Sequence, residues 1–208
     1  MEIYEVTAVA SAIVIITGLI WYIWLVANKE IDTVVASWIV STTALALSLV
    51  TYFTSPKANV IGGTLNAASV CAVGGTLIAV YLRSKIDGQK LVFLPFHINC
   101  LKFSAFITFL WVVMVSVGGT GTIPNWLTQA MLVISYGMLI KKFWNAEKNT
   151  ESLFTWWCVL VSSVIGLYTA HAKHDPLAMI YAIRSTVMCG ILIYALHRIS
   201  WRHPLKQK

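Results

Sequence analysis

An arginine lies inside the last long apolar stretch of this 208-residue chain. The stretch follows Asp175 and Pro176, two residue types that favour the first turn of a helix, and Arg184 comes eight residues after Pro176. At about 1.5 Å per residue, Arg184 then lies roughly 12 Å into a hydrocarbon layer about 30 Å thick. A charge at that depth costs roughly 2.5–3.5 kcal/mol, so the side chain is expected to face a partner or a wet cavity.

Arg184 has the chemistry of an anion ligand. Its guanidinium carries a permanent charge on a planar fork that suits a carboxylate or a phosphate. Tyr181, three residues earlier on the same helical face, can add a hydrogen bond. All eight acidic residues of the chain fall at its termini or between apolar segments. Two interpretations stay open. Arg184 binds an anion, or it has a structural role in which it donates to backbone carbonyls or reaches through water to Asp175.

Other polar side chains fall within or beside the apolar segments. Gln129 and Tyr136 lie in the fifth segment, where they can line a cavity or only hydrogen-bond to a neighbouring helix. His171, His174 and Asp175 cluster before the last segment, but without a second pair of ligands a polar loop is favoured over a metal site. We therefore expect no metal and no cofactor.

Signatures of enzymatic chemistry are missing from the sequence. It contains neither Gly-x-Ser-x-Gly nor His-Glu-x-x-His, and no pair of acids inside an apolar segment. The four cysteines have no CxxC spacing and are expected to be small packing residues. The sequence thus predicts a protein that is not an enzyme.

The elements that position these residues are membrane-spanning helices. Hydrophobic residues make up 58% of the chain and charged residues only 11%, where a soluble domain has about 25% charged residues. Segments of about 20 apolar residues are long enough to cross a bilayer. The sequence predicts an all-α membrane protein with seven transmembrane helices, at about 6–27, 33–54, 60–82, 98–118, 123–143, 152–170 and 176–197.

The distribution of basic residues predicts the orientation. With the N-terminus outside, the inner loops and the C-terminal tail hold eleven lysines and arginines, whereas the outer loops hold only Lys57 and Lys173. This bias favours an N-out, C-in topology, and we expect a multi-pass protein of the plasma (inner) membrane. The net charge of +7 therefore reflects topology, and no nucleic-acid partner is expected.

The chain contains an internal repeat. Residues 29–38 (K-E-I-D-T-V-V-A-S-W) resemble residues 148–157 (K-N-T-E-S-L-F-T-W-W), with a Lys, an acid, a hydroxyl residue and a Trp in register. Two like-oriented triple-helix bundles joined by one helix explain this pattern. The predicted arrangement is 3+1+3, with a first bundle at 1–82, an inner loop and connecting helix at 83–122, and a second bundle with a basic tail at 123–208.

Small residues recur every fourth position along the third segment. Such a ridge lets neighbouring helices approach closely, so we expect Gly75 to face a neighbour and Ser69, off the ridge, to matter little. The ridge consists of Gly63, Ala67, Cys71, Gly75 and Ala79.

This layout resembles the SWEET sugar facilitators and the wider PQ-loop superfamily over nearly the whole chain. In SWEETs the second helix of each bundle ends in a Trp-x-x-Tyr-Gly type pattern, followed by a short loop and an Asn in the third helix. Tyr52 and Phe53, followed by Asn66, have that order and approximate spacing here. The resemblance implies that Tyr52 and Asn66 contact a solute.

The second bundle fits the same pattern in part. Tyr168 and Asp175 match, whereas Tyr181 and Arg184 occupy the region of the expected Asn. Leu49 and Ile165 stand at the Trp positions, and residues 135–138 (S-Y-G-M) replace the Pro-Gln pair. The stretch 148–157 is also similar to PQ-loop relatives such as the N-terminal domain of some lipid-A-disaccharide synthases.

The expected function is membrane transport by alternating access. The cargo is a small-molecule solute that is polar, either a sugar or an anion, moved by a facilitator or a proton-coupled carrier. The alternative is a non-transporting PQ-loop-like receptor or an accessory module for lipid-linked substrates. The lipid bilayer is the expected surrounding partner, and assembly as a homo-oligomer stays open.

Overall fold

The computed structural model describes residues 2–56, 60–88, 91–119 and 121–202. The described part of the chain is all-helical, and seven helices are long and apolar enough to span a membrane. Lys57, Lys90, Lys206 and Lys208, which enter the charge count, lie outside the described residues. The helices are α1 (Ile3–Ala27), α2 (Val35–Phe53), α3 (Val60–Ile86), α4 (Pro95–Ser116), α5 (Thr122–Trp144), α6 (Leu153–Ala172) and α7 (Pro176–Arg202). The prediction of seven helices is confirmed.

Capping residues explain where the last two helices begin. Asp175 accepts a hydrogen bond at Oδ1 from the backbone N–H of Ala178, at 3.0 Å, and Pro176 occupies the first helical position. Ser152 caps α6 in the same way by accepting from the N–H of Thr155 at 3.2 Å. Each cap satisfies a donor that the first helical turn otherwise leaves unpaired.

Six of the helices form a closed ring, with polar groups and apolar side chains mixed in its interior. Helix α3 packs between α1 and α2, and α7 packs between α5 and α6. The two triplets meet along two seams, α1 against α6 and α2 against α5. In this order α3 lies opposite α7 across the ring.

Helix α4 lies outside the ring, against α5 and α2. Its buried residues are Ser104, Ile107 and Trp111, and the Trp111 indole N–H donates to Thr51 Oγ1 at 2.8 Å. Phe103, Phe106 and Phe109 on the same helix are more than half exposed. Large exposed apolar side chains of this kind suit contact with lipid.

The two ends of the ring are distinguished by the acidic residue that lies at each, Asp175 at one end and Glu151 at the other. The Asp175 end has the loop from α6 to α7, and the Glu151 end has the loops from α1 to α2 and from α5 to α6. At the Glu151 end these two loops are joined, because the N–H of Asp32 donates to the carbonyl of Thr150 at 3.0 Å. Lys142 Nζ ties the same loop to α5 by donating to Asp32 Oδ2 at 3.1 Å.

The predicted ridge on α3 is closely packed at Gly63, where a Cβ would lie 2.9 Å from Phe53 Cζ, but not along its whole length. Cys71 is exposed, and a Cβ on Gly75 would lie at an ordinary 3.6 Å from Ile23. A Cβ on Gly18 would instead meet Cys158 Cβ at 2.5 Å, and one on Gly166 would meet Leu65 Cδ2 at 2.4 Å. The ridge prediction is wrong at Cys71, because a small-residue period marks one face of a helix without showing that a neighbour covers it.

Candidate functional site

Arg184 projects into the ring from α7. Its Nε donates to Gln129 Oε1 at 3.0 Å, and its guanidinium carbon lies 4.9 Å from the ring centroid of Tyr181 and 5.9 Å from that of Tyr136. Within the described residues no carboxylate lies within 4.0 Å of it, and its buried Nη2 has no hydrogen-bond partner. Arg184 therefore keeps an uncompensated charge and a free donor.

Gln129 extends this network along α5. Its Nε2 donates to Asn125 Oδ1 at 3.2 Å, while Asn125 Nδ2 is buried without a partner among the described residues. Gln129 and Asn125 are 2% and 4% exposed. Because most buried polar atoms in proteins are hydrogen-bonded, these amides are suited to a polar solute.

A second set of polar groups lies toward the Asp175 end. Asn66 of α3 donates from Nδ2 to Ser48 Oγ at 3.2 Å, and its buried Oδ1 lacks a partner in the described part of the chain. The Tyr52 hydroxyl donates to Asp175 Oδ2 at 2.5 Å. This bond ties α2 to the start of α7, so Asp175 is engaged with Tyr52 and with its own helix.

Tyr181 bridges the ring from α7 to α3. Its hydroxyl donates to Ser69 Oγ at 2.9 Å, and the side chain lines two cavities, one on each side of this bridge. The cavity toward the Asp175 end measures ≈ 20 Å³ and contains Asn66 and Asn125 in its lining. The other measures ≈ 50 Å³ and is lined by Arg184 among others. Volumes this small accommodate one or a few waters, so a larger solute requires the ring to open.

Hydroxyl groups hold the two seams. Ser11 of α1 and Ser162 of α6 each donate to the other's backbone carbonyl at 2.8 Å. Ser37 of α2 and Ser135 of α5 do the same at 3.0 Å. The α1–α6 seam has a further bond between Thr7 and Thr169 at 2.9 Å. These bonds join the two triplets along both seams.

The structure brings six of the seven sequence-predicted site residues to the ring interior and leaves one outside. Tyr168 is 52% exposed and lines neither cavity. Gly166 and Thr169 of the same helix do line the cavity toward the Asp175 end, and at 3.6 residues per turn Tyr168 falls between them on another face. The six are Asn66, Arg184, Tyr181, Tyr52, Gln129 and Tyr136.

Two site residues escaped the sequence prediction. Ser69, expected to matter little, is 2% exposed and accepts from Tyr181. Asn125 lies four residues before Gln129, a spacing that places both on one helical face. That spacing was a usable signal for Asn125, whereas nothing in the sequence distinguishes Ser69 from other helical serines.

The seven apolar helices define a multi-pass integral membrane protein, and their ring encloses several buried hydrogen-bonding groups. Protein-family models do not match the chain, and neither characterised proteins nor solved structures show a significant similarity to it.

Proposed function

We propose that the protein is a membrane transporter of a small polar solute that carries negative charge. The observation that carries this proposal is Arg184, whose charge has no carboxylate partner in the described chain and whose Nη2 is unpaired beside a cavity. A bare charge inside the membrane is costly. An anionic solute relieves that cost by offering the guanidinium two parallel hydrogen bonds.

The helix order supports two bundles that move against each other. Helices α1, α3 and α2 form one triplet and α5, α7 and α6 the other, with α4 outside, which is the order expected for parallel repeats in a 3+1+3 arrangement. Polar groups reach the interior from both triplets, Asn66 from one and Arg184 from the other. In this mechanism the triplets rock about the hydroxyl seams, and the Tyr181–Ser69 bridge breaks when solute passes.

The orientation assigns each end of the ring to one side of the membrane. The bias of basic residues favours the Glu151 end as the cytoplasmic side and the Asp175 end as the outer side of the plasma (inner) membrane. The helix order and this orientation both agree with the SWEET and PQ-loop resemblance. The departures at Leu49, Ile165 and Arg184 favour an anion over a neutral sugar as the cargo.

The test begins with ligand stabilisation of the purified protein. Carboxylates, phosphates, amino acids and sugars are screened by the shift in melting temperature, and the best ligand is then assayed for uptake into proteoliposomes. We expect Arg184→Gln to weaken affinity for an anion about tenfold to a hundredfold, the equivalent of one or two charge-assisted hydrogen bonds. Arg184→Lys should lose much of it, because an ammonium lacks the planar fork.

Arg198→Gln provides the matched control on the same helix. Arg198 also has a buried nitrogen, Nη1, without a partner among the described residues, but its guanidinium lies over the Trp144 ring at 4.2 Å, away from both cavities. Its replacement should leave anion affinity unchanged. If Arg184→Gln binds every anion as tightly as wild type, the proposed function is wrong.

Gln129→Glu separates solute binding from a structural role. A carboxylate at this position accepts from Arg184 within the protein, so it should raise thermal stability and displace the solute anion. If Arg184 has only a structural role, Gln129→Glu should still raise thermal stability, but neither the wild type nor any variant should bind an anion.

A second candidate function, an accessory module for lipid-linked substrates, is favoured by a larger cavity at the Glu151 end. This cavity measures ≈ 900 Å³ and combines basic residues with apolar ones such as Phe96 and Met138. Lys141 Nζ lies 3.5 Å from the Phe96 ring centroid, whereas Lys29 and Arg83 pair with Asp87. Basic pockets at the cytoplasmic face suit anionic lipid head groups.

Lys141→Gln discriminates between the two candidates. An accessory module predicts that this change weakens binding of acidic phospholipids in nanodiscs, while Arg184→Gln leaves it intact and no soluble anion binds. A transporter predicts that a soluble anion binds, that Arg184→Gln weakens this binding, and that Lys141→Gln leaves it intact.

A further inference from the structure

The two repeated loops meet at the Glu151 end with their acids in different surroundings. In the alignment of residues 29–38 with 148–157, Asp32 corresponds to Glu151. The Asp32 side chain is 78% exposed and pairs with Lys142 at 3.1 Å. Glu151 is 6% exposed and forms no ion pair among the described residues. One repeat therefore keeps its acid at the surface, and the other buries it.

Buried polar groups of three aromatic side chains surround Glu151. Tyr22 Oη, Trp38 Nε1, Trp156 Nε1 and Glu151 Oε2 all lack a hydrogen bond of standard geometry in the described part of the chain. The Tyr22 and Trp38 rings lie 5.0 Å apart, and all three aromatic residues are at most 5% exposed. Tyr22 and Trp156 nevertheless interact as hydrogen-bond donors with the Glu151 carboxyl, and Trp38 with Tyr22, so the four groups form one buried polar cluster held by hydrogen bonds of loose geometry.

The surroundings of Glu151 favour its neutral form. Burial raises the pKa of its carboxyl to about 7. Hydrogen bonds from Tyr22, the N–H of Ser152 and Trp156, together with the positive charge of Lys142, lower this pKa in part. The charged groups facing the cluster are Lys142 of α5 and Asp32 of the α1–α2 loop, which pair with each other.

We infer that Glu151 is a proton-binding site, and that it releases its proton when the Glu151 end of the ring opens. Tyr22 belongs to α1, Trp38 to α2, and Glu151 and Trp156 to the α6 region, so the cluster spans both triplets and cannot stay buried if they separate there. An exposed glutamate ionises near pH 4.5. The inference rests on the proposed function only in taking this opening as a step of transport toward the cytoplasm.

Linkage fixes the sign and size of the effect. The closed end holds a proton below about pH 7, while the open end does so only below about pH 4.5, so acid favours the closed end. Between pH 6 and pH 8 the ratio of open to closed molecules should rise about tenfold. A proton would then be bound as the end closes and freed as it opens.

Infrared difference spectroscopy of the purified protein tests the proton site directly. The carbonyl band of a protonated carboxyl should disappear as the pH rises through about 7 in wild type, and it should be missing in Glu151→Gln. Asp32→Asn is the matched control in the other repeat and should keep the band. If the wild-type and Glu151→Gln spectra titrate alike, Glu151 binds no proton in this range and the inference fails.

Thiol labelling tests the coupling to opening. Ser41 lines the cavity toward the Glu151 end, so a Ser41→Cys probe should react faster when that end opens. The labelling rate in wild type, divided by that in Glu151→Gln at the same pH, should rise about tenfold from pH 6 to pH 8, since the ratio removes the thiol's own pH dependence. A constant ratio would overturn the coupling. Neither readout needs a transported solute, so a failure to transport leaves this inference standing.

Discussion

Gly18→Ala should force α1 and α6 apart along their seam. The new Cβ would lie 2.5 Å from Cys158 Cβ, whereas carbon atoms in contact prefer about 3.5–4.0 Å. Cys158 Cβ is fixed to the α6 backbone, so α1 and α6 must move apart by about 1–1.5 Å. Such overpacking costs about 1–3 kcal/mol. Separation also stretches the bond that Thr155 Oγ1 donates to the Gly18 carbonyl at 3.0 Å, adding about 0.5–1.5 kcal/mol.

The better helix propensity of alanine offsets up to about 1 kcal/mol of this cost. The expected net loss of about 0.5–3.5 kcal/mol corresponds to a fall of roughly 1–14 °C in melting temperature for a chain of this size. Thermal unfolding in detergent, followed by intrinsic fluorescence, measures it. Gly190→Ala is the matched control, because no atom lies within 4 Å of a Cβ built there, and it should be neutral or stabilising.

A double-mutant cycle identifies the contact responsible. Cys158→Gly removes both the Cβ and the Sγ that the methyl group introduced by Gly18→Ala would meet, so Gly18→Ala should cost much less in that background. Equal costs in the two backgrounds, or a Gly18→Ala variant as stable as Gly190→Ala, would refute the close approach of α1 and α6.

The remaining predictions concern the cross-ring bridge, pH and topology. Tyr181→Phe and Ser69→Ala should each lower stability by about 0.5–1.5 kcal/mol, and the double variant should cost less than their sum, as chemical denaturation of the set will reveal. The free energy of unfolding should be highest near pH 4.5 and fall by up to about 3 kcal/mol as the pH rises to about 7. The reason is that Glu151 binds a proton more tightly in the folded state than in the unfolded state. The Glu151→Gln variant should show a flat profile over this range. A hydrogen bond from Lys29 lowers the pKa of the Asp87 carboxyl. Protonation of Asp87 therefore lowers stability, the opposite of the effect at Glu151, and it does so only in stronger acid. A tag after Lys208 should be reachable only from the cytoplasm and one before Met1 only from outside, and labelling of both on one side would contradict an odd number of spans.

The sequence predicted the helices well because hydropathy and capping act locally. Length and apolar content placed all seven spans, and Asp175 with Pro176 placed the start of α7. Arg184 was recognised as costly, but its neighbour Gln129 lies 55 residues earlier on α5. That contact depends on how α5 packs against α7, and the periodicity of residues within one helix does not indicate which helix packs against it.

Burial was the hardest property to predict. The repeat aligned Asp32 with Glu151 without indicating that only Glu151 is enclosed. The small residues of the ridge on α3 repeat regularly, whereas the tightest approaches between helices involve the isolated glycines Gly18 and Gly166. A lone glycine gives no pattern, so its role emerges only when the facing helix is in place.

The α1–α6 seam also constrains the order in which the protein can be made. Ser11 and Ser162 are 151 residues apart, so at about 5–20 residues per second the ribosome needs roughly 8–30 s to supply the partner of α1. During that interval the seam face of α1, which holds Thr7, Ser11 and Gly18, lacks its α6 partner. The expensive charge, Arg184, is synthesised only after Gln129 and Tyr136. The arginine thus enters the bilayer when the polar groups that receive it are already inserted.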